Sequence, residues 1–303
     1  MPVIMDPLRG RTRPQADRSD TEIVAALGDP ADWTVLTGAG LSTDSGIPDY
    51  RGPDSPPRRP MTVQMFLSGP ESRRRYWARG WIGWERMGSV RPNAGHLSLA
   101  LLGVHGIVTQ NVDGLHEQAA EAVAADGAEV ADAAARTEIV DLHGRLDRVL
   151  CLSCGKVYSR ERVQQELTRL NPDFLADLEV DPGDIETAPD GDAVLEATAG
   201  FRVWDCPACG GILKPDVVYF GESVPKERNI AAARLVDEAH GVLVLGTSLA
   251  VMSGLRLVRK AAKDGKPVVV VTDGPTRGDD LATMRSVSRV ADVLALWEES
   301  RRA

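Results

Sequence analysis

Short apolar runs alternate along this chain with stretches of helical period. Trp33-Thr34-Val35-Leu36, Gly106-Ile107-Val108-Thr109, Glu138 to Leu142, Leu213 to Glu222, Val242-Leu243-Val244-Leu245 and Pro267 to Thr272 read as strands. Thr21 to Leu27, Ala94 to Leu102, Leu115 to Ala125, Lys226 to Ala239 and Gly254 to Asp264 read as helices between them. Apolar strands separated by helices have the rhythm of an α/β protein with a parallel sheet. The strands empty into Gly, Ser, Thr, Asn or Asp, and in open sheets of this kind ligands sit beyond the carboxyl ends of the strands.

One helical stretch differs. From Glu71 to Met87, Tyr76, Trp77, Trp81, Trp84 and Met87 recur at three- and four-residue steps, while Arg73, Arg75, Arg79 and Arg86 take other positions. That stripe reads as the packed face of a small helical module. The proline-rich PDSPPRRP after Gly52 reads as a loop, residues 126–137 as an exposed insertion, and residues 1–20 as a mobile tail.

The chain has 303 residues, 43% of them apolar, enough for one large domain or a domain with a smaller insert. A net charge of −9 argues against nucleic-acid binding as the main function. No apolar run reaches 18 residues and the N-terminus lacks the apolar core of a secretory signal, so a cytoplasmic protein without membrane attachment is expected. The N-terminal arginines suit a mitochondrial presequence, but Asp6, Asp17 and Asp20 speak against one.

Candidate chemistry gathers at the strand ends. In TGAGLSTDSGIPDYRG, Gly38 and Gly40 flank Ala39 and leave room for backbone N–H groups to approach a phosphate, with Ser42, Thr43 and Ser45 as further donors. The match to GxGxxG is partial, since Thr43 stands at the third glycine, and a tight turn without a ligand is the alternative. Asp49, Tyr50 and Arg51 follow in a segment stiffened by Pro48, suited to closing over a polar ligand. The second strand ends in Gln110, Asn111 and Asp113, the third delivers His143 beside Gly144, and the later ones end in Gly246-Thr247-Ser248 and Thr272-Asp273-Gly274. His96 and His116 read as structural.

The only four cysteines form two CxxC pairs, Cys151/Cys154 and Cys206/Cys209, 51 residues apart. Two such pairs complete a tetrahedral thiolate shell for one zinc ion, closed to water and therefore structural. Disulfides and a redox CxxC are the rivals; the first is unlike a cytosolic protein, and the second needs no duplicate. The acidic segment between the pairs reads as insertion and linker.

In this order, the glycine turn, QNVDGLH, the LHG histidine, the paired CxxC, VVYFGE and GTS closely resemble the sirtuins (Sir2 family), NAD-dependent protein lysine deacylases, over about residues 21–300. Tyr76-Trp77-Ala78-Arg79, Leu170-Asn171-Pro172 and Gly274-Pro275-Thr276-Arg277 are most similar to the class II branch, which contains the fourth human sirtuin. The resemblance implies a Rossmann-like NAD domain (about 21–52, 97–143 and 214–300), a helical module (53–96) and a zinc module (144–213). It implies that Gly38, Ala39 and Gly40 hold the pyrophosphate, and that Asp49, Tyr50 and Arg51 form the cofactor loop. Gln110, Asn111 and Asp113 would surround nicotinamide and its ribose, with His143 as general base. Val218 and Phe220 would line an acyl-lysine tunnel. Gly246, Thr247, Ser248, Thr272, Asp273, Gly274 and Val290 would meet adenosine. The implied reaction moves an acyl group from lysine to ADP-ribose and releases nicotinamide, with acyl-lysine proteins as partners, NAD as co-substrate and one structural zinc. Mono-ADP-ribosyl transfer and a non-enzymatic NAD sensor are the alternatives. Thr272 stands where the family often has Asn, and the loop after Gly52 is short.

Overall fold

In the computed structural model, which describes residues 7–8, 15–49, 60–126, 136–176, 195 and 197–302, two sheets meet along one cleft. The larger is built from β1 (Trp33–Thr37), β2 (Gly106–Thr109), β3 (Glu138–Asp141), β7 (Gly241–Leu245), β8 (Val268–Val271) and β9 (Met284–Ser286). These six run parallel in the order β3-β2-β1-β7-β8-β9. The order reverses between β1 and β7, so their carboxyl ends frame the crevice where doubly wound sheets bind ligands.

Successive strand residues point to opposite faces, and both faces are covered. Val35, Leu243 and Val269 pack with α1 (Asp20–Leu27), α5 (Ala94–Leu102) and α10 (Val290–Arg302) through Ile23, Leu99, Leu294 and Trp297. Their neighbours Leu36, Val244 and Val270 pack on the other side with α8 (Lys226–Glu238) and α9 (Met252–Lys263) through Leu235, Leu255 and Val258.

The smaller sheet is antiparallel, in the order β5 (Val157–Ser159), β4 (Gly144–Cys151), β6 (Leu213–Val217). Val149 and Leu213 share one core with Tyr76, Trp77 and Trp81 of α4 (Pro70–Ser89) and with Val163 and Leu167 of α7 (Arg160–Leu170). The aromatic stripe of α4 is therefore core, as its spacing predicts.

Three expectations change. The span between the cysteine pairs, expected as insertion and linker, contains α7, capped by the Ser159 hydroxyl, which accepts from Arg162 N, while its acidic run lies outside the described residues; an amphipathic face buried in the aromatic core makes α7 a helix. The strand expected from Leu213 to Glu222 ends at Val217; Val218 N still donates to the His143 carbonyl (2.8 Å), and Gly221 lies in the left-handed region (φ +78°). Nor is the end of the expected tail free. Arg285 N donates to Asp17 Oδ1 (2.7 Å), Ser288 Oγ donates to Asp20 Oδ1 (2.8 Å), and a Ser19–Glu22 capping box opens α1 at Asp20. Residues 127–135 of the expected insertion lie outside the described residues.

Candidate active site

A cleft of about 920 Å³ runs between the strand ends of the parallel sheet and the segment following β6. Gly38 and Gly40 line it, together with Ala39 of the short α2 (Ala39–Ser42). A Cβ on Gly38 would stand 2.5 Å from Thr247 Cβ, and one on Gly40 would stand 2.8 Å from the Gly246 carbonyl oxygen. Gly40 N donates to that same oxygen at 2.8 Å. The two strand-end turns thus press backbone to backbone, and the missing side chains keep the floor of the cleft thin.

The second strand end supplies the polar wall. Gln110 Nε2 donates to Thr247 Oγ1 (2.8 Å) and to the Thr37 carbonyl (3.2 Å), locking its amide across β1 and β7. Asn111 Nδ2 donates to the Gly38 carbonyl (3.1 Å) and to Ser42 Oγ (3.0 Å), and Ser42 Oγ donates to Asp113 Oδ2 (2.7 Å). Asp113 Oδ1 accepts from Leu115 N (3.0 Å). Burial pushes the Asp113 carboxyl above the usual aspartate range, and these two donors oppose the shift. Ser42 is thereby the hub joining the glycine turn to the QNVD turn.

Behind this wall His96 and His116 meet edge to face, their ring centroids 5.0 Å apart. His96 Nδ1 lies 3.0 Å from Asn93 Oδ1, and His116 Nε2 lies 3.0 Å from Thr37 Oγ1. Burial lowers the His96 pKa to about 4 and holds His116 well below its ordinary value, so both are neutral. Asn93 also caps α5 and donates from Nδ2 to the Leu41 carbonyl (2.7 Å). Its place just before a helix, with a histidine three residues on, is the sequence signal for this cap.

His143 follows β3 and lines the cleft with Gln110, Asn111 and Asp113. Its Nδ1 is 3.0 Å from the Gln110 carbonyl oxygen, which can only accept, so Nδ1 carries the hydrogen and Nε2 the lone pair. Nε2 lies 2.7 Å from Ser253 Oγ. Burial lowers the pKa of the ring; the nearby Arg228 charge adds to this, and the Gln110 bond works against it. Arg228 is itself anchored by two 2.7 Å bonds to Asp216. The result is a neutral imidazole whose accepting nitrogen takes the Ser253 hydroxyl.

Beside His143 stands Val218, and with Phe220 it lines the cleft. Phe220 pairs with Thr62 ahead of α3 (Val63–Leu67), whose Val63 N donates to the Phe220 carbonyl (3.1 Å). Beneath them the buried Lys214 ammonium contacts Glu222 at 3.0 Å and the face of Tyr219 at 4.4 Å, and donates to the Val217 carbonyl. At the other end of the cleft lie Ser248, Thr272, Asp273, Gly274 and Val290. Arg285, 5% exposed, fixes that rim by donating to the Thr272 and Gly274 carbonyls (3.3 and 2.6 Å). Asp49 lines the cleft as well, whereas Tyr50 and Arg51 lie outside the described residues.

The four cysteines do not line the cleft. Their sulfur atoms all lie within 4.8 Å of one another, at the tips of two matching knuckles. In one, Gly155 N donates to the Cys151 carbonyl (2.9 Å); in the other, Gly210 N donates to the Cys206 carbonyl (2.8 Å), and both glycines have φ +70°. Four thiols at that spacing fit a tetrahedral zinc shell, for which sulfurs ~2.3 Å from the metal stand roughly 3.8 Å apart.

A doubly wound sheet with a glycine-lined cleft at its switch point, flanked by a zinc-compatible four-cysteine module, defines a dinucleotide-binding α/β protein. The comparisons narrow this. Residues 38–253 match the Sir2 family, and the chain belongs to that family. It is 50% identical over 266 residues to NAD-dependent protein deacetylase 1 of Mycobacterium avium, covering 86% of this chain and 89% of that protein. It is 44% identical over 251 residues to NAD-dependent protein deacylase SIR4 of Monosiga brevicollis, covering 81% and 76%. Among solved structures, a Sir2–p53 peptide–NAD+ complex superposes with a TM-score of 0.66 at 27% identity, covering 94% of this chain and all of that one.

Proposed function

We propose that this chain is an NAD-dependent protein lysine deacylase. The observation that carries the reading is the neutral His143, its lone pair on Nε2, set in one cleft with the glycine-floored turns and the apolar wall of Val218 and Phe220. The relatives' names and the family support it.

The cleft fits NAD. Gly38, Ala39 and Gly40 would carry the pyrophosphate on a floor that any Cβ would fill, and Gly246, Thr247, Ser248, Thr272, Asp273, Gly274 and Val290 would hold adenosine. Asp49, with Tyr50 and Arg51, would cover the ligand. When bound, NAD supplies a ribose carbon that loses nicotinamide and receives the acyl oxygen of the lysine. Asn111 and Asp113, tied together through Ser42, orient the carboxamide end. His143 accepts a hydroxyl proton at Nε2, with Nδ1–H anchored on the Gln110 carbonyl. Val218 and Phe220 exclude water from the acyl chain. A zinc held by Cys151, Cys154, Cys206 and Cys209 would be structural, since four thiolates would leave no open position. Membership of class II, a cytoplasmic location and acyl-lysine proteins as partners belong to the same reading. Among the described residues, no helix is long and apolar enough to cross a membrane.

The test is nicotinamide release from NAD by the purified protein with peptides bearing acetyl, propionyl, long-chain acyl or lipoyl lysine, with His143→Ala alongside. Release that requires both peptide and His143 is expected, and the best peptide names the acyl group. Release without peptide, leaving ADP-ribose on protein, would replace deacylation with ADP-ribosyl transfer.

A further inference from the structure

His143 has two ring nitrogens, and the main chain occupies only one. The other, Nε2, is 2.7 Å from Ser253 Oγ, and the tautomer fixed by the Gln110 carbonyl makes Ser253 the donor in that bond. Ser253 is the second residue of α9, a position where a serine hydroxyl ordinarily turns back to the helix's own backbone. Here Val251 opens the helix without a side-chain cap, and the hydroxyl reaches across to a residue 110 positions earlier. The next residue, Gly254, holds the helix end close: a Cβ there would stand 2.6 Å from Gln110 Oε1. One helix end therefore abuts both the imidazole and the glutamine whose carbonyl orients it.

We propose that Ser253 positions His143 and relays the proton to it: its hydroxyl holds the imidazole by Nε2, keeps that nitrogen the accepting one, and stands between it and the substrate hydroxyl. Gln110 O···H–Nδ1 and Nε2···H–Oγ of Ser253 grip the ring from opposite sides. A ring held only at Nδ1 swings about that bond, whereas one held at both nitrogens has a single orientation. The positive end of the twelve-residue α9 lies at the same place and disfavours an imidazolium there. Ser253 itself lines the cleft, so its Oγ can accept the proton of the substrate hydroxyl as its own proton passes to Nε2: the O–H bonds of the substrate and of Ser253 break, new bonds to hydrogen form on Oγ and on Nε2, and the serine leaves the step unchanged. This assignment rests on the deacylase reading for its catalytic consequence, but not for the contact itself.

The experiment compares wild type, Ser253→Ala and Ser253→Thr by two readouts. The first is the imidazole ¹⁵N resonance of His143 in the protein without NAD, resolved among only five histidines. Ser253→Ala is expected to shift the Nε2 signal, and Ser253→Thr to restore it; an unmoved signal in Ser253→Ala overturns the contact. The second compares deacylation with exchange of labelled nicotinamide into NAD in the presence of acyl peptide, a step that needs no base. Ser253→Ala should lower deacylation roughly tenfold while exchange stays within about twofold, with rescue by Ser253→Thr. Loss of both in proportion would mean that Ser253 only supports the fold, and overturns the assignment. A wild-type protein that neither exchanges nor deacylates would sink the deacylase reading and the catalytic role of Ser253 with it, while the resonance still decides the contact.

Discussion

The two sheets are stabilised by different means. The parallel sheet buries Val and Leu from five of its six strands between two helical layers, and its strands meet neighbours in continuous register. The antiparallel sheet has three strands, one of only three residues, with a register shift between Arg145 and Val149, and its core is built from rings: Phe66, Tyr76, Trp77, Trp81, Phe174 and Phe201. Apolar burial on two faces is enough for the first. The second is small for burial alone, and its four-cysteine cluster, with sulfurs within 4.8 Å of one another, fits a zinc ion that would close it. The cleft lies where the two meet, so its parallel-sheet side is intrinsically firm and its Val218–Phe220 side depends on the knuckles through β6.

Removing one thiolate should separate the two most. Cys151→Ser is expected to drop bound zinc from one per chain to none, forfeiting binding energy on the order of 10 kcal/mol. Near-UV dichroism from the packed tryptophans of the small module should fall, while the far-UV signal of the parallel sheet persists. Full retention of both signals would erase the contrast. Acid acts on the other body. His96 and His116 are neutral when folded, yet the unfolded chain protonates histidine near 6.5, so the stability they contribute is whole above pH 6.5 and is lost as pH falls toward 4. His96 alone accounts for about 3 kcal/mol of that loss; urea unfolding at pH 7, 6 and 5 should show it, and a flat profile would contradict it. The lowered pKa of His143 has the parallel consequence that the base stays unprotonated somewhat below pH 6.5.

Gly38→Ala tests the floor of the cleft. Its Cβ would meet a buried, β-branched Thr247, so a loss of about 1–3 kcal/mol is expected together with weakened NAD binding in calorimetry. Arg289→Ala should do least. Its 2.9 Å pair with Asp44 joins two exposed side chains beside the cleft, and the unfolding midpoint should not move.

What could be read from the sequence follows the same division. Ala94–Leu102 is found with the bounds its periodicity predicts, and β1, β2, β7 and β8 lie where the apolar runs place them, because each is local and continuous. The cysteines were legible through their chemistry. β4 was not: Gly144-Arg145-Leu146-Asp147-Arg148 carries charges that make sense only once Arg145 meets Glu117 and Asp147, and Arg148 meets Asp141. β9 and α10 also went unread, since the strand is three residues long and is completed by its neighbour β8. At the site, the turn residues were visible as types, but Ser42 as a hub, the His96–His116 pair and the Ser253 contact join positions 20 to 110 residues apart. No local pattern encodes such pairings.

Gly144 stands where these two bodies meet. It follows His143, has φ +82°, and leaves so little space that a Cβ would fall 1.8 Å from the Asp216 carbonyl oxygen. Evolution can therefore exchange the base at 143 for another side chain and keep the joint, but at 144 it has an alphabet of one letter. The histidine's seat is thus fixed by the joint between two sheets, and whatever side chain stands at 143 must act from that seat.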